Sequence, residues 1–160
     1  MASWRIGVIS DTHGLLRPEA MQFLQGCDQI IHGGDIGGAA ILAALSSLAP
    51  VTAVRGNNDT GAWARQLPLT QRIEVGTVAI TVIHDLKELR PQLSSGGVRA
   101  VVSGHSHKPS LSTLDGVLYL NPGSAGPRRF RLPVSVAELV IAGEHLEARL
   151  VTLAQSTSST

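Results

Sequence analysis

The chain has 160 residues, 43% of them apolar, with 13 lysine and arginine against 12 aspartate and glutamate, enough for one domain with a full core and too short for two ordinary ones. A formal charge of +1 gives no footprint for long nucleic acids or an anionic membrane, and no apolar run approaches the roughly 20 residues of a membrane-spanning helix. The single cysteine, Cys27, excludes an internal disulfide and fits a reducing cytoplasm, as does the lack of a basic-then-apolar export signal at residues 1–5.

Residues 4–10 read as a first strand and 17–24 as a helix, with Pro18 in the first turn where a missing N–H costs little. The β-then-α order repeats in a strand at 29–32, an Ala/Leu-rich helix at 39–48 and a strand at 51–55, which predicts parallel pairing in the first half. From Leu67 the texture changes. Strands at 71–75 and 77–83 flank Gly76 as a hairpin would, and a short helix over 87–93 is interrupted by Pro91. Further strands follow at 98–103, 116–120, 134–141 and 145–151, the last two joined at Ala142-Gly143. With only two Trp, one Tyr and two Phe, the core must be built from Val, Ile, Leu and Ala, as in layered sheets. One domain is expected over 1–153, followed by a disordered tail at 154–160 rich in Ser and Thr.

Five apolar strands end in residues that can bind a metal: Asp11 and His13, Asp35, Asn57-Asn58-Asp59, His84-Asp85, and His105 and His107. Carboxyl ends of α/β strands line one edge, where ligands bind, so five such tips can converge. In an extended stretch, residues two apart point the same way, roughly 6–7 Å from each other. Asp11 with His13, and His105 with His107, can then serve one ion together or two ions separately. Gly33, Gly34, Gly56 and Gly104 permit the turns that aim the tips inward. Each motif alone has a plainer reading as a turn; five in succession do not. His32, inside an apolar run, reads as a satisfied core imidazole, His145 as peripheral, and Cys27 and Asp28 as structural.

The order Asp-x-His, Gly-Asp, Gly-Asn-x-Asp, strand-terminal His and Gly-His-x-His resembles the calcineurin-like metallophosphoesterases, in particular their small single-domain phosphodiesterase branch of bacteria and archaea. Asn121-Pro122-Gly123-Ser124, followed by Pro127-Arg128, matches a loop of that branch. The resemblance spans residues 3–151. It implies an α/β fold, a four-layer α/β/β/α sandwich of two mixed sheets flanked by helices. It also implies two divalent ions, one held by Asp11, His13, Asp35 and His107, the other by Asp35, Asn57, His84 and His105. A metal-bound hydroxide would hydrolyse small phosphodiesters, with Asp35, Asn57, Asn58, Asp59 and His84 as the catalytic set. A homodimer is expected on the same ground. All seven donors offer nitrogen or oxygen, which suits Mn²⁺, Fe²⁺, Ni²⁺, Co²⁺ or Zn²⁺; the resemblance favours Mn²⁺. Asn57 can ligate only through its amide oxygen.

Two positions depart from the wider family. Asn58 stands where a histidine often assists the leaving group, and an amide cannot act as a general acid, a role typically worth about 10²–10⁴-fold. Asp85 stands where glycine is common, either orienting His84, adding charge near the metals, or forming a solvated turn. Substrate contacts are expected from Asn57, Asn58 and Arg128; for Arg128 and Arg129, phosphate pairing and an exposed basic pair are both open. Arg55 reads as neutralising a local carboxylate, and Trp63 as stacking on a substrate ring, capping a helix or meeting a partner copy. The competing functions are a binding scaffold, as in the retromer subunit of this fold, and a phosphomonoesterase or nuclease on the same site. A scaffold predicts eroded ligands, whereas all seven positions carry competent donors.

Overall fold

A computed structural model describes residues 3–129 and 131–153; the predicted tail at 154–160 lies outside them. Strand β1 (Ser3–Ile9) leads through α1 (Pro18–Leu24), β2 (Gln29–His32), α2 (Ala39–Ser46), β3 (Val51–Ala53) and the single turn α3 (Ala62–Arg65). The second half runs β4 (Thr70–Val75), β5 (Val78–Ile83), β6 (Val98–Val102), β7 (Ser110–Leu114), β8 (Val117–Asn121), β9 (Ser135–Ala142) and β10 (His145–Thr152). The strands form two mixed five-stranded sheets, ordered β10-β9-β1-β2-β3 and β4-β5-β6-β8-β7. Within them, β1, β2 and β3 are parallel, as are β5, β6 and β8.

Period-two alternation decides which side chains meet where. Ile6 and Val8 of β1 join Ile80 and Val82 of β5, Val102 of β6 and Leu139 and Ile141 of β9 in the core between the sheets. Ile9 and Ile30 face the other way, against Ala20 and Leu24 of α1 and Ile41 and Leu45 of α2. On the outer face of the second sheet, Ala79, Ile83, Val98 and Val101 pack under Leu89 and Leu93. These layers follow the expected sandwich, with one thin layer. The predicted helix over 87–93 is two 3₁₀ turns, Leu86–Glu88 and Pro91–Leu93. Pro91 has no N–H to continue a helix, and the Thr81 hydroxyl pins the second turn by donating to the Leu93 carbonyl at 2.6 Å.

Two elements were not anticipated. Strand β7 is exposed at all five residues and so lacks a hydrophobic alternation; its signal is Asp115-Gly116, both at positive φ, which closes a two-residue hairpin onto β8. The other, α3, is too short for any periodic signal. No helix among the described residues is long and apolar enough to cross a membrane.

Candidate metal centre

The five predicted tips meet at one edge, because the parallel strands of both sheets present their carboxyl ends there. Backbone bonds weld the loops together: Asp11 N–H donates to the Gly34 carbonyl at 3.0 Å, His13 N–H to Asp35 at 2.9 Å, and Gly104 N–H to His84 at 3.0 Å. The extended geometry expected at the tips is not what the chain adopts. Asp11, His13, Asp35, His105 and His107 all take positive φ, between 47° and 71°. A left-handed residue reverses the chain locally and lets alternate side chains turn onto the same edge; each such non-glycine residue costs on the order of 1–3 kcal/mol.

Ligand atoms of Asp11, His13 and His107 lie within 4.8 Å of one another, as do those of Asp35, His84 and His105. Asp35 joins the two groups: its Oδ2 is 3.7 Å from His13 Nε2 and 3.3 Å from His84 Nε2. Asn57 Oδ1 lies 3.1 Å from His84 Nε2, so all seven predicted donors are brought together.

Several features make this pocket fit divalent cations. Asp11 Oδ1 is buried without a hydrogen-bond partner, 3.4 Å from His107 Nε2 and 3.8 Å from His13 Nε2. The two imidazole nitrogens are themselves 3.3 Å apart. Orphaned buried oxygen and crowded lone pairs are relieved together by a positive ion between them. Without one, burial pushes the Asp11 carboxyl up from its usual range and the His107 imidazole down. Burial also opposes ionisation of Asp35, yet hydrogen bonds from His84 and from Asn58 hold its carboxyl well below the ordinary carboxylate range. Burial likewise works against the His84 imidazolium, but the Asp35 hydrogen bond and the Gly33 carbonyl prevail and raise its pKa. His84 Nδ1 lies 2.7 Å from the Gly33 carbonyl; donating there, the ring would offer Nε2 to a cation once that cation displaces the Nε2 proton.

Support comes from residues that sequence reasoning treated as structural or passed over. The Ser10 hydroxyl donates to Asp11 Oδ2 at 2.7 Å, and His105 N–H to the same oxygen at 3.0 Å. Asn121 Nδ2 donates to the Gly104 carbonyl at 2.9 Å, and the Ser124 hydroxyl to the Asp11 carbonyl at 3.0 Å. The 121–124 loop, noticed only as a family match, therefore props the histidine turn. His32 is fully buried as expected, yet it also braces two ligand loops: Nδ1 accepts from Gly34 N–H, and Nε2 sits 3.0 Å from the Thr12 hydroxyl. Two glycines are obligatory through close approach. A Cβ on Gly56 would strike the Asp35 backbone nitrogen and Oδ1, and one on Gly104 would strike Ser10 Oγ and come to 2.6 Å from Asp11 Oδ2.

The remaining predicted site residues divide. Asn58 donates to Asp35 twice, from its backbone to Oδ1 at 2.9 Å and from Nδ2 to Oδ2 at 3.1 Å. Asp59 is buried, with both carboxylate oxygens taken up by the N–H groups of Ile36, Gly37 and Gly56; that makes it a clamp on the ligand loops. Asp85 Oδ1 caps the following 3₁₀ turn through Lys87 N–H, while Oδ2 lies 3.8 Å from His105 Nε2, so it faces His105 and not His84. Arg128 is exposed and donates to the Leu132 carbonyl at 3.2 Å; the charge of Arg129 is the one that reaches His107. Trp63 packs on the helix-side core. Arg55, expected to neutralise a carboxylate, forms no ion pair among the described residues and lines a cavity beside His84 and His105.

Related sequences and the same fold occur in known proteins. A probable metallophosphoesterase of Methanothermobacter thermautotrophicus is 35% identical over 158 residues, covering 91% of each chain. A phosphodiesterase of Methanocaldococcus jannaschii is 27% identical over 138 residues, covering 74% of this chain and 82% of that one. Among solved structures, Vps29 of Chaetomium thermophilum superposes with a TM-score of 0.82 at 22% identity, covering 98% of this chain and 92% of that one, a likeness of fold alone. Residues 4–144 match the calcineurin-like phosphoesterase superfamily domain, and the chain belongs to that superfamily as a metallophosphoesterase.

Proposed function

We propose that the protein is a cytoplasmic, metal-dependent phosphodiesterase that hydrolyses small phosphodiesters at a binuclear site, with Mn²⁺ as the working metal. The observation that carries this reading is the convergence of two donor trios on the shared Asp35 carboxylate, beside a buried and partnerless Asp11 oxygen. Asp11, His13, Asp35 and His107 would hold one cation, and Asp35, Asn57, His84 and His105 the other. Bound cations of this kind supply Lewis-acid polarisation of phosphoryl oxygens and a water of lowered pKa near neutral pH.

The side chains around the donors do the positioning. Asn58 holds both oxygens of the Asp35 carboxylate by donating one hydrogen bond to each. Asn57, ligating through Oδ1, keeps its NH₂ to donate to a phosphate oxygen. The serines named at the site are tied up in hydrogen bonds: Ser10 donates to Asp11, Ser124 donates to the Asp11 carbonyl, and Ser106 Oγ accepts from Asn121 and from Lys108 N–H. Transfer directly to water follows, with no covalent phosphoenzyme. The name of the M. jannaschii relative supports a diester as substrate, and the near-neutral charge supports a small one over a long nucleic acid. A homodimer belongs to the same reading.

The test is hydrolysis of bis-p-nitrophenyl phosphate by protein loaded with Mn²⁺, Ni²⁺, Co²⁺ or Zn²⁺, together with elemental analysis. About two metals per chain and turnover abolished by Asp35→Ala are expected. Wild-type protein inert with every metal would refute the proposal, and protein that takes up none would favour a scaffold.

A further inference from the structure

Beside the His84 and His105 donors the surface opens into a cavity of about 290 Å³, walled in part by Arg55, Leu69, Asp85 and Glu88. This volume lies at the bottom of the range for small-molecule sites, about 300–1,000 Å³, and holds one sugar-and-base group but not two. Arg55 follows β3, and its backbone N–H is anchored on the Pro68 carbonyl at 2.8 Å. The side chain is half-buried, and its guanidinium makes neither an ion pair nor a hydrogen bond among the described residues. Its five N–H donors have no protein acceptor, so a ligand entering the cavity with an oxygen acceptor gains a charge-assisted hydrogen bond there.

The other walls limit which ligand that is. Leu69, 57% exposed, offers an apolar surface for a ring to cover. Asp85 and Glu88 face the same space as carboxylates, so a second phosphate entering it would meet two like charges against one guanidinium. The lining thus suits a group that is uncharged, flat on one side and rich in hydroxyl and carbonyl oxygens.

We propose that this cavity seats the retained arm of the diester and selects an uncharged, acceptor-bearing group of nucleoside size, with Arg55 as the specificity-determining donor. The inference rests on the phosphodiesterase reading above and adds to it a substrate class. It is tested by comparing thymidine 5′-(p-nitrophenyl phosphate) with methyl p-nitrophenyl phosphate, which share a leaving group and differ only in the retained arm. The wild type should prefer the thymidine ester, and Arg55→Met should lower that preference in kcat/KM by about tenfold, mainly through KM, the effect of one hydrogen bond from a charged donor. A 3′-phosphate on the thymidine should slow the wild type, and the double variant Asp85→Asn, Glu88→Gln should recover about tenfold of that loss. The amides of Gly56, Asp85 and His105 in the metal-free protein should shift on titration with thymidine, in the wild type and not in Arg55→Met.

An unchanged preference in Arg55→Met, with both esters turned over, would overturn the seat and leave the phosphodiesterase function standing. Should neither ester be hydrolysed with any metal, the function falls and the amide titration alone decides the cavity: no shifts in the wild type would overturn it.

Discussion

Acidifying the metal-free protein below pH 6.5 should remove stability through the fully buried imidazole of His32. Its Nδ1 accepts from Gly34 N–H at 3.0 Å, and the Thr12 hydroxyl beside Nε2 is already committed as a donor to the Ile36 carbonyl at 2.7 Å. The ring is therefore the neutral tautomer with its proton on Nε2, and a second proton would break the bond to Gly34. Burial pushes the pKa from 6.5 down to about 3. Between those values the unfolded chain binds a proton that the folded chain refuses, so stability is intact above 6.5 and falls as the pH falls. At about 1.4 kcal/mol per pH unit, the loss between pH 7 and pH 5 is on the order of 2 kcal/mol, a large share of the ~5–15 kcal/mol typical of a domain. Urea unfolding of chelator-treated wild type and His32→Asn at both pH values isolates the effect. The Asn Oδ1 can accept from Gly34 N–H and takes no proton, while His84, whose raised pKa acts in the opposite sense, is common to both proteins. The wild type should lose about 2 kcal/mol more than the variant. Equal losses would refute the reasoning.

Three further outcomes follow from the same geometry. Gly56→Ala should cost about 1–3 kcal/mol in urea unfolding and reduce metal content, because the added carbon meets the Asp35 backbone; wild-type stoichiometry would contradict this. Asn58→Asp replaces the donor 3.1 Å from Asp35 Oδ2 with a second carboxylate, and calorimetric titration should show metal affinity lowered about 10–100-fold. Because Asn58 is an amide and Asp59 is consumed by three backbone N–H groups, neither is set to protonate the departing oxygen. Rates across aryl and alkyl diesters should therefore fall steeply with leaving-group pKa, and a flat series would reveal a different acid.

The layers were legible because their signals are local and strong. The apolar runs of β1, β5 and β6 are buried almost throughout, and a buried parallel strand advertises itself as an unbroken hydrophobic stretch. β7 escaped for the converse reason: Ser110–Leu114 buries nothing, so only the turn that follows it carries information. The helix predicted over 87–93 failed where Pro91 was already visible, and the outer sheet face needs no more than Leu89 and Leu93 to cover it.

At the site, residue identities could be read but conformations could not. Donor types and their order pointed to seven residues that do converge, while the assumption that Asp11–His13 and His105–His107 run extended was wrong. No local rule predicts five non-glycine ligands in the left-handed region, because each is locally unfavourable. Side-chain hydrogen bonds brace that geometry: the Ser10 hydroxyl on Asp11, Asn121 on Gly104, and His32 on Gly34. Those partners lie next to their targets or up to 17 residues away, and none belongs to a metal-binding motif. Asp59, which the resemblance places in the catalytic set, clamps two ligand loops by accepting from the N–H groups of Ile36, Gly37 and Gly56: a site of left-handed donors keeps its shape only if the surrounding backbone amides are tied down.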